Sequence, residues 1–422
     1  MEDKRYLCID LKSFFASVEC VERGLDPMKH NLIVADPERS EKTICLAVSP
    51  AMKALGVKNR CRVFEIPEGI EYITAPPRMK KYIEYAAKVY AVYLKFISKD
   101  DIYVYSIDEA FLDVTHYLKL YNKNALELAK MIIADILKET GLQSSCGIGT
   151  NLYLAKIALD ITAKHSDDFI GYLDKELYRK TLWDHRPLTD FWRIGPGTQK
   201  KLESKHIFTM GDIANYYNKD AFYSWFGKDA ELLIDHALGE EPTTIPDIKA
   251  YKQKTRSLTS GQVLSRDYGF EEGRIIVKEM MDLLCLDLVE ENLMTSSITL
   301  HVNYSNEYRK TAAHGTASTA VPTNSDAILV PAISTLYERV VEKEFPIRKV
   351  NITCNNVVDY EEFGQLTFFD GADSKKAHRV QEAVVEIKKK YGKNALLKGI
   401  NLQDGATTIE RNRQIGGHKS GE

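Results

Sequence analysis

Short apolar runs that end in acidic or turn-forming residues alternate along this chain with longer stretches in which apolar side chains recur every three or four positions. Tyr6-Leu-Cys-Ile-Asp10 is such a run, ends in a carboxylate, and reads as a buried strand. Residues 32–35 and 43–48 read as two more strands, split by the turn-like Asp36-Pro37. Residues 79–97 carry Ala, Lys, Tyr and Val at helical spacing, and 102–107 gives a strong strand pattern. Asp108-Glu109 interrupts that strand and 110–114 resumes it, which reads as a hairpin with the acidic pair near its tip. Then come a helix at 124–140, a strand at 144–149 and a helix at 152–164. With the insert at 16–75 set aside, the order is strand, helix, strand, strand, helix, strand, the ferredoxin-like βαββαβ unit. In that unit we expect the first strand to lie beside the strand that follows the first helix. The same order returns as a strand at 258–264, a helix at 271–291, strands at 297–303 and 310–320, a helix at 326–344 and a strand at 349–358. The stretch 166–240 between the units reads as mainly helical, and 241–254, with two prolines and several lysines, as a linker. The fold class is therefore α+β, with no short-period repeat and no low-complexity segment.

Composition narrows the picture. At 422 residues the chain is long enough for about three domains. With 44% hydrophobic and 28% charged residues, it is neither disordered throughout nor a disulfide miniprotein. No apolar run approaches the ~20 residues of a membrane span, and the first residues show no signal-peptide core. The seven cysteines (Cys8, Cys20, Cys45, Cys61, Cys146, Cys285, Cys354) form no CxxC pair, so neither a disulfide framework nor a zinc site is indicated and a cytoplasmic setting is expected. The formal net charge of −3 does not advertise a nucleic-acid binder, but a whole-chain sum can hide a basic stripe opposite an acidic site. From Asp373 onward, 11 Lys and Arg stand against 6 Asp and Glu. This basic tail reads as an amphipathic helix at about 374–391 and a flexible Gly-rich end.

Asp10 ends one strand, and Asp108 with Glu109 tips the hairpin, so the three carboxylates can converge on one edge of the sheet. Two readings stand at this point. One is structural, a solvated turn at Asp108-Glu109 with Asp10 as a helix N-cap. The other is chemical: converging carboxylates repel unless cations lie between them. Mg²⁺ suits such oxygen ligands, and two ions ~4 Å apart serve in-line phosphoryl transfer.

Cys8-Ile-Asp10-Leu-Lys-Ser-Phe-Phe15-Ala-Ser-Val-Glu19 together with Tyr105-Ser-Ile-Asp108-Glu109-Ala-Phe-Leu-Asp113 resembles the Y-family, lesion-bypass DNA polymerases, and within them the UmuC-like bacterial branch. The likeness spans about residues 5–370. It implies a palm (1–15 and 76–165), inserted small fingers (16–75), a helical thumb with a helix-hairpin-helix (166–240), the linker (241–254), a little finger formed by the second βαββαβ unit (255–360), and a C-terminal part (361–422) with a clamp-binding motif. It implies a DNA-directed DNA polymerase, a nucleotidyltransferase of low fidelity that acts in the SOS response to DNA damage. Asp10, Asp108 and Glu109 match the metal-binding, catalytic carboxylates of two Mg²⁺ ions, and Leu11 the residue that lends a backbone carbonyl. Phe15 matches the steric gate against ribose. Lys164 matches a triphosphate-binding lysine, and Lys53 falls where the family often has an arginine for the same task.

Phe191-Trp-Arg-Ile-Gly195-Pro-Gly197-Thr-Gln-Lys200-Lys201 resembles the hairpin that offers backbone N–H groups to a DNA phosphate, with Arg193 in place of the family's first glycine. Thr255 to Arg266, with Arg256 near its start, opens the little finger as an alternating strand, with one face of Ser, Thr and Arg expected to follow DNA and the other apolar. Gln365-Leu366-Thr-Phe368-Phe369 resembles a sliding-clamp docking peptide. The implied partners are primer–template DNA, deoxynucleoside triphosphates, the sliding clamp, a recombinase filament and a UmuD-like subunit, with no membrane. A palm-type nucleotidyl cyclase and a non-catalytic DNA-binding scaffold are the rival classes. The thumb-like hairpin and second unit speak against the first, and the intact carboxylates against the second.

Overall fold

The computed structural model describes residues 4–38, 40–253, 256–360 and 372–421. The chain forms two compact units, residues 1–251 and 252–420 in the main, each with its own apolar core.

In the first unit, β1 (Tyr6–Leu11) leads into α1 (Phe14–Val21). A small three-stranded sheet follows, from β2 (Leu32–Val34), β3 (Ala47–Val48) and, after α2 (Pro50–Ala54), β4 (Ile73–Ala75). It encloses a core of its own around Ile33, Val48, Met52 and Ile66. The chain then runs through α3 (Met79–Phe96), β5 (Ile102–Val104), β6 (Glu109–Asp113), α4 (Thr115–Tyr121), α5 (Ala125–Thr140), β7 (Ser144–Gly149), α6 (Leu152–Ile157) and β8 (Ile170–Leu173). The main sheet has the order β5-β6-β1-β7-β8. The first strand therefore lies between β6 and β7, not beside the strand after the first helix as expected; β5 is at the edge. The β1–β6 register pairs Asp10 with Glu109, which brings the end of β1 level with the start of β6.

Alternation sorts the faces of β1. Leu7, Ile9 and Leu11 pack with α3 and α5, while Tyr6 and Cys8 face α6. That second face is shaped by glycine. A Cβ on Gly147 would sit 2.0 Å from the Ala155 carbonyl oxygen, one on Gly149 2.1 Å from the Ala155 nitrogen, and one on Gly171 2.4 Å from the Ala158 oxygen. Helix α6 thus lies backbone against backbone on β7 and β8. It passes through a π turn at Ala158–Thr162 and a 3₁₀ turn at Ala163–His165, so the helix read at 152–164 is present but changes its winding halfway. β8, inside the stretch read as helical, pairs parallel to β7 and extends the sheet by a strand.

Residues 175–250 are helical: α7 (Lys175–Leu182), α8 (Pro196–Glu203), α9 (Met210–Ala214), α10 (Asp220–Phe226), α11 (Asp229–Leu238) and α12 (Ile245–Ala250). Their core includes Tyr153, Ile157 and Ile161 from α6 and its continuation. α12 falls in the segment read as a linker. Thr244 caps it and Ile245 is buried against Tyr6 and Phe111 of the main sheet.

The second unit runs β9 (Arg256–Tyr268), α13 (Phe270–Glu290), β10 (Leu293–Tyr304), β11 (Ala313–Thr323), α14 (Asp326–Val340) and β12 (Ile347–Asp359). The string is again βαββαβ, but the sheet order is β11-β10-β12-β9, so here the first strand is an edge. α15 (Ala372–Tyr391) and the chain after it lie on α13: Asn401 and the Thr407 N–H both donate to the buried Glu279 carboxylate. The Gly-rich end expected to be flexible forms a hairpin, β13 (Gln414–Ile415) with β14 (His418–Lys419). Gly416 and Gly417 both take positive φ, the backbone such a two-residue turn demands.

The glycine contacts give a direct test. Gly147→Ala should cost about 3 kcal/mol or prevent folding, because the obstacle is backbone on both sides. Gly197→Ala, with open space around its Cβ position, should change stability by less than about 1 kcal/mol. Urea melts of the two variants check this; equal effects would show that α6 can lift away from β7.

Candidate active site

Asp10 and Glu109 are cross-strand partners in the β1–β6 ladder. Their side chains share the α6 side of the sheet with Cys8. Asp108 precedes β6; its carbonyl accepts from the Leu11 N–H at 3.0 Å, and its carboxylate accepts from the Ser106 hydroxyl at 2.6 Å. Asp10 therefore lies in a strand and is no N-cap; Ser13 holds that place, in the left-handed region at φ 47°, and turns the chain from β1 straight into α1.

Sequence reasoning missed the residue that touches this group most closely. The Lys156 ammonium on α6 lies 2.8 Å from Oε1 and 2.9 Å from Oε2 of Glu109, and 3.1 Å from Oδ1 of Asp160. The Cys8 thiol donates to Oε1 of Glu109 at 3.2 Å. Burial alone would lower the Lys156 pKa; the charges of Asp160 and Glu109 outweigh it and raise it. The available signal was a lone lysine inside the apolar run Leu152-Tyr-Leu-Ala-Lys156-Ile, with an aspartate four residues on. No ion pair among the described residues reaches Asp10. Burial, then repulsion from Asp108 and Glu109, pushes its carboxyl up to about 7. Nor do any three carboxylate, imidazole or thiolate groups among the described residues close into a ready-made cation cage. With only protein charges available, Glu109 turns to Lys156 and Asp108 to Ser106, the arrangement that keeps like charges apart.

Positive charge gathers beside the acids. Lys53 lies in the last turn of α2, Lys12 directly after β1 and Lys164 in the 3₁₀ turn. Desolvation lowers the pKa of Lys12 and Lys53; attraction by Asp10 opposes this, and repulsion among Lys12, Lys53 and Lys164 adds to it. Lys12, which sequence reasoning passed over, also lies 3.4 Å from the centre of the Phe169 ring.

Phe14 is buried in the core, whereas Phe15 is half-buried and stacks on Tyr82 at 4.6 Å between ring centres. The Tyr82 hydroxyl donates to the buried Glu19, which also takes two bonds from Arg78 and one from Arg23. Burial would raise the Glu19 carboxyl, but those hydrogen bonds hold it below its usual range. The hairpin of Asp108 is seated on aromatics: Tyr105 packs edge-on against Phe111 and Trp192, and the Trp192 N–H donates to the Tyr105 hydroxyl.

The other expected positions are more scattered. Gly195 caps α8, with Gly197 beside it in open space. Arg193, standing where the family has glycine, takes φ 68°, the left-handed backbone that glycine favours. Lys200 and Lys201 are both exposed; Lys201 also donates to the Trp225 carbonyl and lies over Phe226. On β9, alternation puts Ser257, Thr259 and Val263 on the outer face and Leu258 and Leu264 inside. Arg256 and Arg266 sit where the β9–β12 register shifts, are exposed, and pair with Asp359 and Glu272. Such exposed pairs contribute only ~0–1 kcal/mol and can be exchanged for other anions. Gln365, Leu366, Phe368 and Phe369 lie outside the described residues.

Residues 9–160 match the family model described as the impB/mucB/samB family, and residues 255–368 match that of its C-terminal domain. The chain is 30% identical over 419 residues to a Bacillus subtilis protein named UvrX for UV-damage repair, covering 99% of this chain and 98% of that one. It is 29% identical to DNA polymerase IV 2 of Halalkalibacterium halodurans, with 99% of each chain covered. A solved Y-family DNA polymerase chimera of Dbh and Dpo4 shares the fold, with a TM-score of 0.64 at 20% identity, over 84% of this chain and 99% of that one.

The Asp10 proton leads to a prediction. A folded pKa of about 7 against an ordinary 3.8 means that the folded chain keeps a proton the unfolded chain has lost. Stability therefore falls as pH rises through that window. Without divalent cations, Asp10→Asn should stabilise the fold at pH 8 by about 2 kcal/mol and change it by no more than about 0.3 kcal/mol near pH 3.5, where the folded carboxyl is neutral and the unfolded one mostly so. Urea melts at the two pH values decide it; an equal gain at both would mean better packing and not charge relief.

Proposed function

This chain belongs to the impB/mucB/samB family, and from that membership and the site described above we propose that it is a DNA-directed DNA polymerase that copies past damaged template bases with low fidelity. Relatives over the whole chain are named DNA polymerase IV. The observation that carries the reading is the cross-strand pair Asp10 and Glu109 with Asp108 at the turn, beside Lys12, Lys53 and Lys164.

Asp10, Asp108 and Glu109 would hold two Mg²⁺ ions, with the Leu11 carbonyl as a further donor. The fit is chemical: these are hard oxygen donors, and the Asp10 carboxyl is driven up by burial and then by like charges, the second of which a cation would relieve. Bound there, such ions would ease ionisation of the primer hydroxyl and neutralise the leaving pyrophosphate. Lys12, Lys53 and Lys164 would bind the triphosphate as point charges. Phe15, five residues after Asp10 and braced by Tyr82, would lie under the sugar and exclude a 2′-hydroxyl. Gly195, Gly197 and Lys200 would contact template-strand or primer phosphates through the start of α8. In the second unit, the outer face of the sheet carries hydroxyl pairs, Thr259 with Thr353 and Thr299 with Thr316, which suit backbone contacts without sequence readout. The small sheet β2–β4, with strands of two or three residues, offers little to close over a nascent base pair, which supports low fidelity. Substrates are primer–template DNA and deoxynucleoside triphosphates. Docking of Gln365, Leu366, Phe368 and Phe369 on a sliding clamp, and association with a recombinase filament and a UmuD-like subunit, are proposed on the sequence resemblance. Among the described residues, no helix is long and apolar enough to cross a membrane.

Two experiments test this. Asp108→Ala and Glu109→Ala should each lower single-turnover nucleotide addition by at least about three orders of magnitude, a loss of ~4 kcal/mol of transition-state stabilisation, with primer–template affinity little changed. Extension near the wild-type rate in either variant would remove the catalytic assignment. Phe15→Ala should raise ribonucleotide insertion about a hundredfold, or ~2.7 kcal/mol, and lower deoxynucleotide insertion only modestly. Phe14→Ala, removing a core ring, should instead cost about 3 kcal/mol of stability and affect both sugars alike. Matched ribo- and deoxynucleotide insertion by the two variants distinguishes them, and relaxed selection in Phe14→Ala alone would shift the gate by a residue.

A further inference from the structure

We propose that Lys156 is a positioning residue for Glu109: it fixes the carboxylate's orientation opposite Asp10 and, as a built-in counter-charge, keeps divalent-cation binding there loose enough to reverse. This rests on the reading of Asp10, Asp108 and Glu109 as cation ligands. Lys156 is the only charged residue in a helix whose every member is buried, Leu152–Ile157, and its side chain is 10% exposed against 9% for Glu109. Gly147 and Gly149 let that helix lie backbone to backbone on β7, which holds Lys156 close over the sheet. Both Glu109 oxygens lie within 2.9 Å of the ammonium, so their direction is set before any ligand arrives. Asp160, where the helix widens into its π turn, takes the other side of the ammonium at 3.1 Å. Lys156 is therefore shared between two carboxylates and withholds part of its charge from Glu109. What Glu109 offers a cation is a carboxylate already oriented and partly neutralised. Removal of Lys156 would leave more negative charge and less order, which pulls affinity and catalysis in opposite directions. A merely structural lysine would move both the same way.

Mn²⁺ is the probe, titrated into the full chain without DNA or nucleotide and followed by electron paramagnetic resonance, with single-turnover nucleotide addition at saturating Mn²⁺ as the second measurement. Lys156→Met should bind Mn²⁺ about threefold or more tighter, and its addition rate should fall about tenfold or more. Lys156→Arg should return both toward wild type. Unchanged or weaker Mn²⁺ binding in Lys156→Met, or an unchanged rate, overturns the proposal. Should Lys156→Met fail to fold, Asp160→Asn carries the test. The ammonium then belongs to Glu109 alone, and Mn²⁺ binding should weaken about threefold; unchanged or tighter binding overturns it. A wild-type chain that takes up no Mn²⁺ at all overturns the cation reading itself, and this role with it.

Discussion

Asp10 and Glu109 stand directly opposite each other on the two central strands of the main sheet, and neither can withdraw without breaking the β1–β6 ladder. Two carboxylates held in that way, with Asp108 next in line, must be relieved by a proton, a protein cation or a metal ion. The fold uses the first two where it can. Glu109 takes Lys156, and Asp10 is left to hold a proton up to about pH 7. The division is unequal because α6 reaches only one of the two side chains. Asp10 thus remains the least compensated group, within electrostatic reach of Lys12 and Lys53, which in turn feel Lys164. A polyanion carrying divalent cations satisfies both halves of that arrangement at once, which is why the charge pattern and the proposed chemistry agree.

That arrangement depends in turn on three residues with no side chain. Gly147, Gly149 and Gly171 let α6 and its π turn settle directly onto β7 and β8. The approach delivers the Lys156 ammonium to Glu109, and it places Tyr153, Ile157 and Ile161 in the helical core that follows. One segment therefore fixes the acidic cluster and anchors residues 175–250 to the sheet. A buried ion pair of this kind is weak evidence for stability, since desolvation offsets much of its attraction; breaking it is what costs, about 3–5 kcal/mol for an orphaned partner. The exposed pairs Arg256–Asp359 and Arg266–Glu272 are a different case. They lose little when exchanged, so a phosphate can replace either carboxylate.

Much of this was legible in the sequence because two periods were clean. Apolar runs interrupted at Asp108-Glu109 marked the hairpin, and the βαββαβ order emerged twice. What the pattern could not supply was spatial order. The same string builds β5-β6-β1-β7 in one unit and β11-β10-β12-β9 in the other, because strand neighbours are chosen by helix packing and not by local propensity. β8 was missed because a four-residue strand between helices, with a glycine in it, carries little periodicity. Alternation along β9 could not say which way Arg256 and Arg266 face, because the β9–β12 register shifts at both ends of the strand. Lys156 escaped notice for a related reason: within an apolar helix a lysine reads as an irregularity, and only its partner on another strand gives it meaning. The Gly-rich end looked mobile by composition, yet Gly416-Gly417 are the residues a tight hairpin requires.

The near-neutral charge of the chain need not conflict with a DNA substrate. Counter-ion release scales with the number of phosphates neutralised, so a surface of hydroxyl groups and backbone N–H donors holds nucleic acid more weakly and with less salt dependence than a basic one. The second unit is built in that manner. Thr259, Thr353, Thr299 and Thr316 bond in pairs across neighbouring strands, and Asn355 joins Thr299. Its buried charge, Glu279, is spent internally on Asn401 and Thr407, so the chain after α15 is fastened to α13 and not left as a loose basic arm. For an enzyme that adds nucleotides opposite distorted bases, loose holding has a physical advantage. Contacts that read no base edge carry no penalty when the base is altered, and low affinity per contact lets the duplex shift by one step after each addition.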